Sequence, residues 1–187
     1  DIGAIKFGTK PWKAGHDFSR TPPATSVLKR PAIGYMNLVK NACFELPTLE
    51  AWTLIGAKTA KLTTGNGWGA KSVSGKTYPT GTSKLELRLG GENDGVEQIV
   101  TGLQPRRRYT LSAWMRVADT KETVSLGARG FGGKEVSAST GGTVWTRQSV
   151  SFETGPSASS VIISLKKSPG AGYAWCDNVA IPMAASD

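Results

Sequence analysis

From Asn37 onward the chain keeps no pattern for long: apolar and polar residues alternate over a few positions, then glycine, proline, asparagine or serine interrupts. Such runs fall around 43–46, 51–55, 58–63, 84–89, 96–100, 108–117, 123–129, 143–153, 160–167 and 173–182. A period of two sends successive side chains to opposite faces of a strand, so each run can bury only one face. In the run from Tyr109 to Val117 the odd positions are apolar, and Thr110, Ser112, Trp114 and Arg116 point the other way. About ten short, half-buried strands need a second sheet to cover their apolar faces. The expected fold is therefore all-β, a jelly-roll β-sandwich of two antiparallel sheets over residues 37–187. Most of the chain's 23 glycines and 10 prolines fall between these runs and supply its turns.

Residues 1–36 behave differently. Pro11, Pro22, Pro23 and Pro31 interrupt a stretch of scattered charge with no period of 2 or 3.6, which reads as an irregular tail or linker. Its opening, Asp1-Ile2-Gly3-Ala4 with Phe7-Gly8, Trp12 and Ala14-Gly15-His16, resembles the segment that closes many right-handed parallel β-helix polysaccharide lyases and glycosidases. That resemblance implies an appended catalytic domain before residue 37 and a secreted or extracellular protein.

The sandwich carries a second resemblance. Asn41-Ala42-Cys43-Phe44-Glu45, Trp52, Ser83-Lys84-Leu85, Gly102-Leu103-Gln104-Pro105, Tyr109 to Trp114, Trp145 and Asp177-Asn178-Val179 are similar, in order and spacing, to carbohydrate-binding modules of the galactose-binding-like jelly-roll type. The match departs at Ala42 and Cys43, where that family carries Pro or Gly, and at Trp175-Cys176. It implies a non-catalytic, monomeric module with Trp52 and Trp145 in its core. It also implies a structural Ca2+ held by Glu45 and Asp177, two hard oxygen ligands, with the neighbourhoods of Asn41 and Ser83 completing the roughly six to eight donors calcium takes. The two cysteines, Cys43 and Cys176, flank those acids. A disulfide and two free thiols both stay open, although parity turns Cys176 away from Asp177 while Cys43 shares the facing of Glu45.

What the module would bind follows from charge and strand parity. A formal charge of +9 attracts polyanions without choosing among acidic polysaccharide, nucleic acid and anionic lipid. Alternation puts Lys84, Glu86 and Arg88 outward on one strand, Trp114 and Arg116 on a second, and Ser125 and Arg129 on a third. If these strands share a sheet, one indole lies among three guanidinium groups. A sugar's C–H face stacks on an aromatic plane, and arginine forks onto carboxylate or sulfate. The expected ligand is thus an acidic polysaccharide, alginate being one example. A rival location is the glycine-rich segment from Thr64 to Lys71, where Trp68, and Tyr78 beyond it, could present the aromatics. The alternative function is a structural or adhesion sandwich that binds no sugar.

Other classes fit poorly. The only histidine, His16, lies in the tail, so a Ser-His-Asp triad inside the sandwich is excluded. Lys84-Leu85-Glu86-Leu87-Arg88 and Gln98-Ile99-Val100 resemble alginate-lyase motifs, but Val100 stands where the catalytic histidine belongs. Gly127 to Lys134 lacks the spacing of a phosphate loop and reads as a hairpin. Arg106-Arg107-Arg108 follows Pro105 as a solvated turn, and no recognition helix or zinc finger supports nucleic-acid binding. No apolar run reaches the roughly 18 residues of a membrane-spanning helix.

Overall fold

The described residues of the computed structural model, 37–64 and 85–182, form ten strands and no helix. They are β1 (Thr53–Ile55), β2 (Lys61–Thr64), β3 (Leu85–Leu89), β4 (Gly95–Thr101), β5 (Arg108–Val117), β6 (Val124–Arg129), β7 (Val136–Thr140), β8 (Thr146–Glu153), β9 (Ser160–Lys167) and β10 (Ala174–Ala180). One five-stranded sheet runs β1-β4-β9-β6-β7 and the other β2-β3-β10-β5-β8. Every pairing is antiparallel, and apart from the β2–β3 and β6–β7 pairs, which stay within one sheet, successive strands cross between sheets, as in a jelly roll.

Parity decides which face each strand buries. Leu87, Leu89, Leu111, Ala113, Met115 and Val117 meet Val96, Val100, Leu126, Val161, Ile163 and Leu165 between the sheets, all buried. Burying each large aliphatic side chain stabilises the fold by about 1.5–3 kcal/mol relative to leaving it exposed. Residues 108–117 and 160–167 are strands over the expected spans, and Gly127 to Lys134 is the β6–β7 hairpin, turned by Gly130 (φ 75°) and Gly132 (φ 86°). Arg106 adopts φ 53° in the exposed arginine turn.

Two expectations fail locally. Residues 43–46 form a turn rather than a strand, because Asn41 (φ 45°) and Phe44 (φ 56°) reverse the chain. The Asn41 side chain stabilises this turn, accepting from the Leu46 N–H at 3.1 Å and donating to the Thr48 carbonyl at 3.0 Å. That leaves Phe44 fully buried against Trp52. The strand β7, Val-Ser-Ala-Ser-Thr, was not anticipated: its small polar side chains carry little hydrophobic signal, and it lies at a sheet edge. The tail over 1–36, with its implied catalytic neighbour, lies outside the described residues.

Candidate functional site

Residues paired across antiparallel strands share a face. On the outer face of β2-β3-β10-β5-β8, Lys61 pairs with Arg88, Arg88 with Trp175, and Trp175 with Arg116. Trp145, just before β8, continues this row: the Arg116 guanidinium carbon lies 5.1 Å from its ring centroid and 3.9 Å from that of Trp175. Arg116 thus stands between two indoles. Arg88 lies 4.5 Å over the ring of Tyr173, which itself packs 6.1 Å from Trp175. In the next row Thr63 pairs with Glu86, Asp177 with Trp114, and Trp114 with Arg147, whose Nη2 donates to Ser112 Oγ at 3.0 Å.

The electrostatics are those of cations packed on aromatics with partial neutralisation. Arg116 Nη2 lies 3.7 Å from Glu86 Oε1. Burial pushes the Glu86 carboxyl above its usual range, against the opposing effect of Arg116. Burial likewise lowers the Arg116 pKa, with Glu86 working the other way. A guanidinium group over a ring keeps N–H donors for a further partner. The face therefore offers donors and apolar ring surface side by side.

The structure brings Arg88, Glu86, Trp114 and Arg116 onto one face. Arg129 is not among them. It and Ser125 belong to β6 in the opposite sheet, and Arg129 Nη2 donates to both carboxylate oxygens of Glu97 at 2.9 and 3.0 Å. Parity gave its outward facing correctly, but parity cannot say which sheet a strand joins. Arg147, through its pairing with Trp114, supplies the third arginine instead. Trp145 is also reassigned: Trp52 is buried as the resemblance implies, whereas Trp145 is only half-buried and stands on the outer face. Sequence reasoning did not select Trp175, Tyr173 or Arg147. Trp68, Tyr78, Lys84 and Ser83 lie outside the described residues.

In the middle of β10, Asp177 is buried and its Oδ1 accepts from the Asn178 N–H at 2.7 Å. Glu45 is exposed and accepts from the Leu85 N–H at 3.1 Å. Burial first, then the charges of Asp177 and Glu45, push the Cys43 thiol pKa up. Among the described residues no group of three His, Cys, Asp or Glu gathers, so the other donors to a Ca2+ held by Glu45 and Asp177 would have to be amides or carbonyls. The Asn41 amide is already engaged by Leu46 and Thr48, which leaves it a loop-forming role. Cys43 is exposed and Cys176 buried, and both are free thiols.

A family model described as "Carbohydrate binding domain" matches residues 36–172, most of the chain. The chain belongs to this carbohydrate-binding family. Its members are binding rather than catalytic domains, and the outer face just described is where this carbohydrate-binding domain gathers half-buried indoles, the exposed Tyr173 and guanidinium groups. A keratan-sulfate endo-1,4-beta-galactosidase of Sphingobacterium multivorum is 30% identical over 141 residues, 75% of this chain. The chain spans only 30% of that enzyme's length. Among solved structures, TmCBM61 in complex with beta-1,4-galactotriose aligns with a TM-score of 0.58 at 18% identity, covering 78% of this chain and 97% of that one. A "Family 16 Carbohydrate Binding Module-2" aligns at 0.53 with 20% identity, over 79% and 100% of the two chains. At these identities the structures establish the shared jelly-roll fold.

Proposed function

We propose that this carbohydrate-binding domain holds an acidic polysaccharide on the outer face of β2-β3-β10-β5-β8 and so keeps an appended catalytic domain, outside the cell, on its polymer. The observation that carries this reading is the row Arg88, Trp175, Arg116 and Trp145, with Tyr173 beneath Arg88 and Trp114 and Arg147 alongside. Indole and phenol rings offer surface for sugar C–H groups, and arginines packed against those rings offer forked donors to carboxylate or sulfate. The formal charge of +9 raises the local concentration of such polymers. The curated relative acts on keratan sulfate, an anionic polymer, which is consistent with this choice.

The module is proposed to act as a monomer, with one Ca2+ between Glu45 and Asp177 supporting the fold. These residues would tie the 41–48 turn to β10, and excess chelator should then lower the melting temperature. An unchanged melting curve together with no bound metal in elemental analysis would reject the ion.

Affinity electrophoresis against alginate, carrageenan, fucan, pectin and chitin tests the ligand class. At least one acidic polymer should retard the protein, and retardation should weaken as salt rises towards about 0.15 M and beyond, because screening removes only the charge component. Retardation by neutral polymers alone, indifferent to salt, would sink the acidic reading.

A further inference from the structure

On the reading that this face holds an acidic polysaccharide, we infer that the polymer lies across the strands and carries its anionic groups on alternate sugars. Four consecutive strand positions present guanidinium, indole, guanidinium, indole: Arg88 on β3, Trp175 on β10, Arg116 on β5 and Trp145 at the entry to β8. Neighbouring strands lie about 4.8 Å apart, close to the advance of an extended pyranose chain per sugar. Like side chains then recur every second strand, roughly 9.6 Å, the length of a disaccharide.

The alternative direction fits less well. Along β3 the outward residue beside Arg88 is Glu86, which is buried and faces Arg116, so a polyanion lying along that strand meets a carboxyl next to its cation. Across the strands the row contains no acid. Its central strand, β10, reads Ala-Trp-Cys-Asp-Asn-Val-Ala and carries no basic residue. A carboxylate or sulfate placed over Trp175 meets ring carbon and must compete for Arg116, already stacked 3.9 Å from that ring's centroid, whereas one placed over β3 or β5 meets an arginine directly. Selectivity arises from that difference as much as from the contacts. Lys61 extends the row at the edge strand, but it is exposed and sets no such constraint.

Two ligand pairs test this on the full chain by isothermal titration at about 0.15 M NaCl, where non-specific attraction is screened. The first is sodium-form oligosaccharides of kappa- and iota-carrageenan, which share a galactan backbone but carry sulfate on alternate sugars and on every sugar, respectively. The second is hyaluronan and polygalacturonate oligosaccharides, with carboxylates on alternate and on every sugar. In whichever pair binds, the alternating member should bind at least fivefold tighter despite its lower charge. Trp175→Lys, which puts a cation on β10, should erase that preference. Equal or tighter binding of the uniformly charged members would overturn the alternation and leave the acidic-polysaccharide reading standing. Failure of all four, with binding to neutral galactan, would remove that reading and this inference with it.

Discussion

Replacing Glu122 with glutamine should destabilise the module more than any other single polar change on its surface loops. Lys167 ends β9 with its side chain fully buried, and its Nζ donates to the Ser168 carbonyl at 3.0 Å and the Gly170 carbonyl at 2.8 Å. Among the described residues its carboxylate partner is Glu122 Oε2 at 3.3 Å, while Glu122 Oε1 accepts from the Gly172 N–H at 2.6 Å. The 168–172 turn is wrapped so closely that a Cβ on Gly170 would fall 2.5 Å from Glu122 Oε1. Glu122→Gln keeps the size but leaves a buried ammonium without its counter-charge, a loss of about 3–5 kcal/mol. For a domain of this size each kcal/mol moves Tm by about 2–4 °C, so the expected fall is on the order of 10 °C by circular dichroism at pH 7. Adding Lys167→Met should recover part of it, because the orphaned charge then goes too. The turn leads directly into Tyr173, so the single variant should also weaken polysaccharide binding severalfold. A Tm within about 2 °C of the parent would refute the reasoning, since it would mean the ammonium finds water or another partner without cost.

Trp175→Ala and Trp145→Ala should each weaken polysaccharide binding by about tenfold in titration calorimetry while leaving the fold intact. Each removes ring surface and one side of the Arg116 stack, an interaction of about 0.5–2 kcal/mol; unchanged affinity in both would move the site off this face. Asp94 is buried, which alone raises its pKa, but donors from Gly90, Thr59 and Gly91 outweigh burial and hold the carboxyl below its ordinary range. A depressed folded pKa contributes stability above the unfolded value of about 3.9 that is lost as pH falls through the folded one. Asp94→Asn should cost about 1–3 kcal/mol at pH 7 and flatten the loss of stability below about pH 4; an unchanged acid limb would refute this. Unreduced protein should take up two alkyl groups when denatured and, when native, react only at the exposed Cys43; no uptake at all would mean a disulfide.

The sandwich was readable because its strongest strands obey a local rule. In β5 every second residue from Tyr109 to Val117 is apolar, and burying that face leaves no choice for Trp114 and Arg116. What local alternation does not encode is neighbourhood. Arg88 and Arg116 become near neighbours only because β10, the last of the described strands, inserts between β3 and β5. The same ignorance put Arg129 in the wrong sheet, since an outward arginine on β6 reads identically whichever sheet receives it. Turn chemistry was the other blind spot: Phe44 looks like strand, but its left-handed backbone follows from the Asn41 cap three residues earlier.

Trp175 is the instructive omission, because the signal for it was present. Ala174 and Cys176 are small and apolar and fit a core face, and the tryptophan between them must then point outward. As a departure from the resembled family it carries no role that the resemblance implies. Physical parity assigns it a position without reference to relatives, and the register then sets it between Arg88 and Arg116. Trp145 shows the converse. Likeness to relatives placed it in the core, yet it precedes β8 and stands beside an arginine that the core could not hold uncompensated. Where residues depart from the common pattern on an exposed sheet face, ligand choice has room to diverge while the buried face keeps the fold. Trp175 and Arg116 are therefore the positions at which a neutral-sugar relative of this module should differ first.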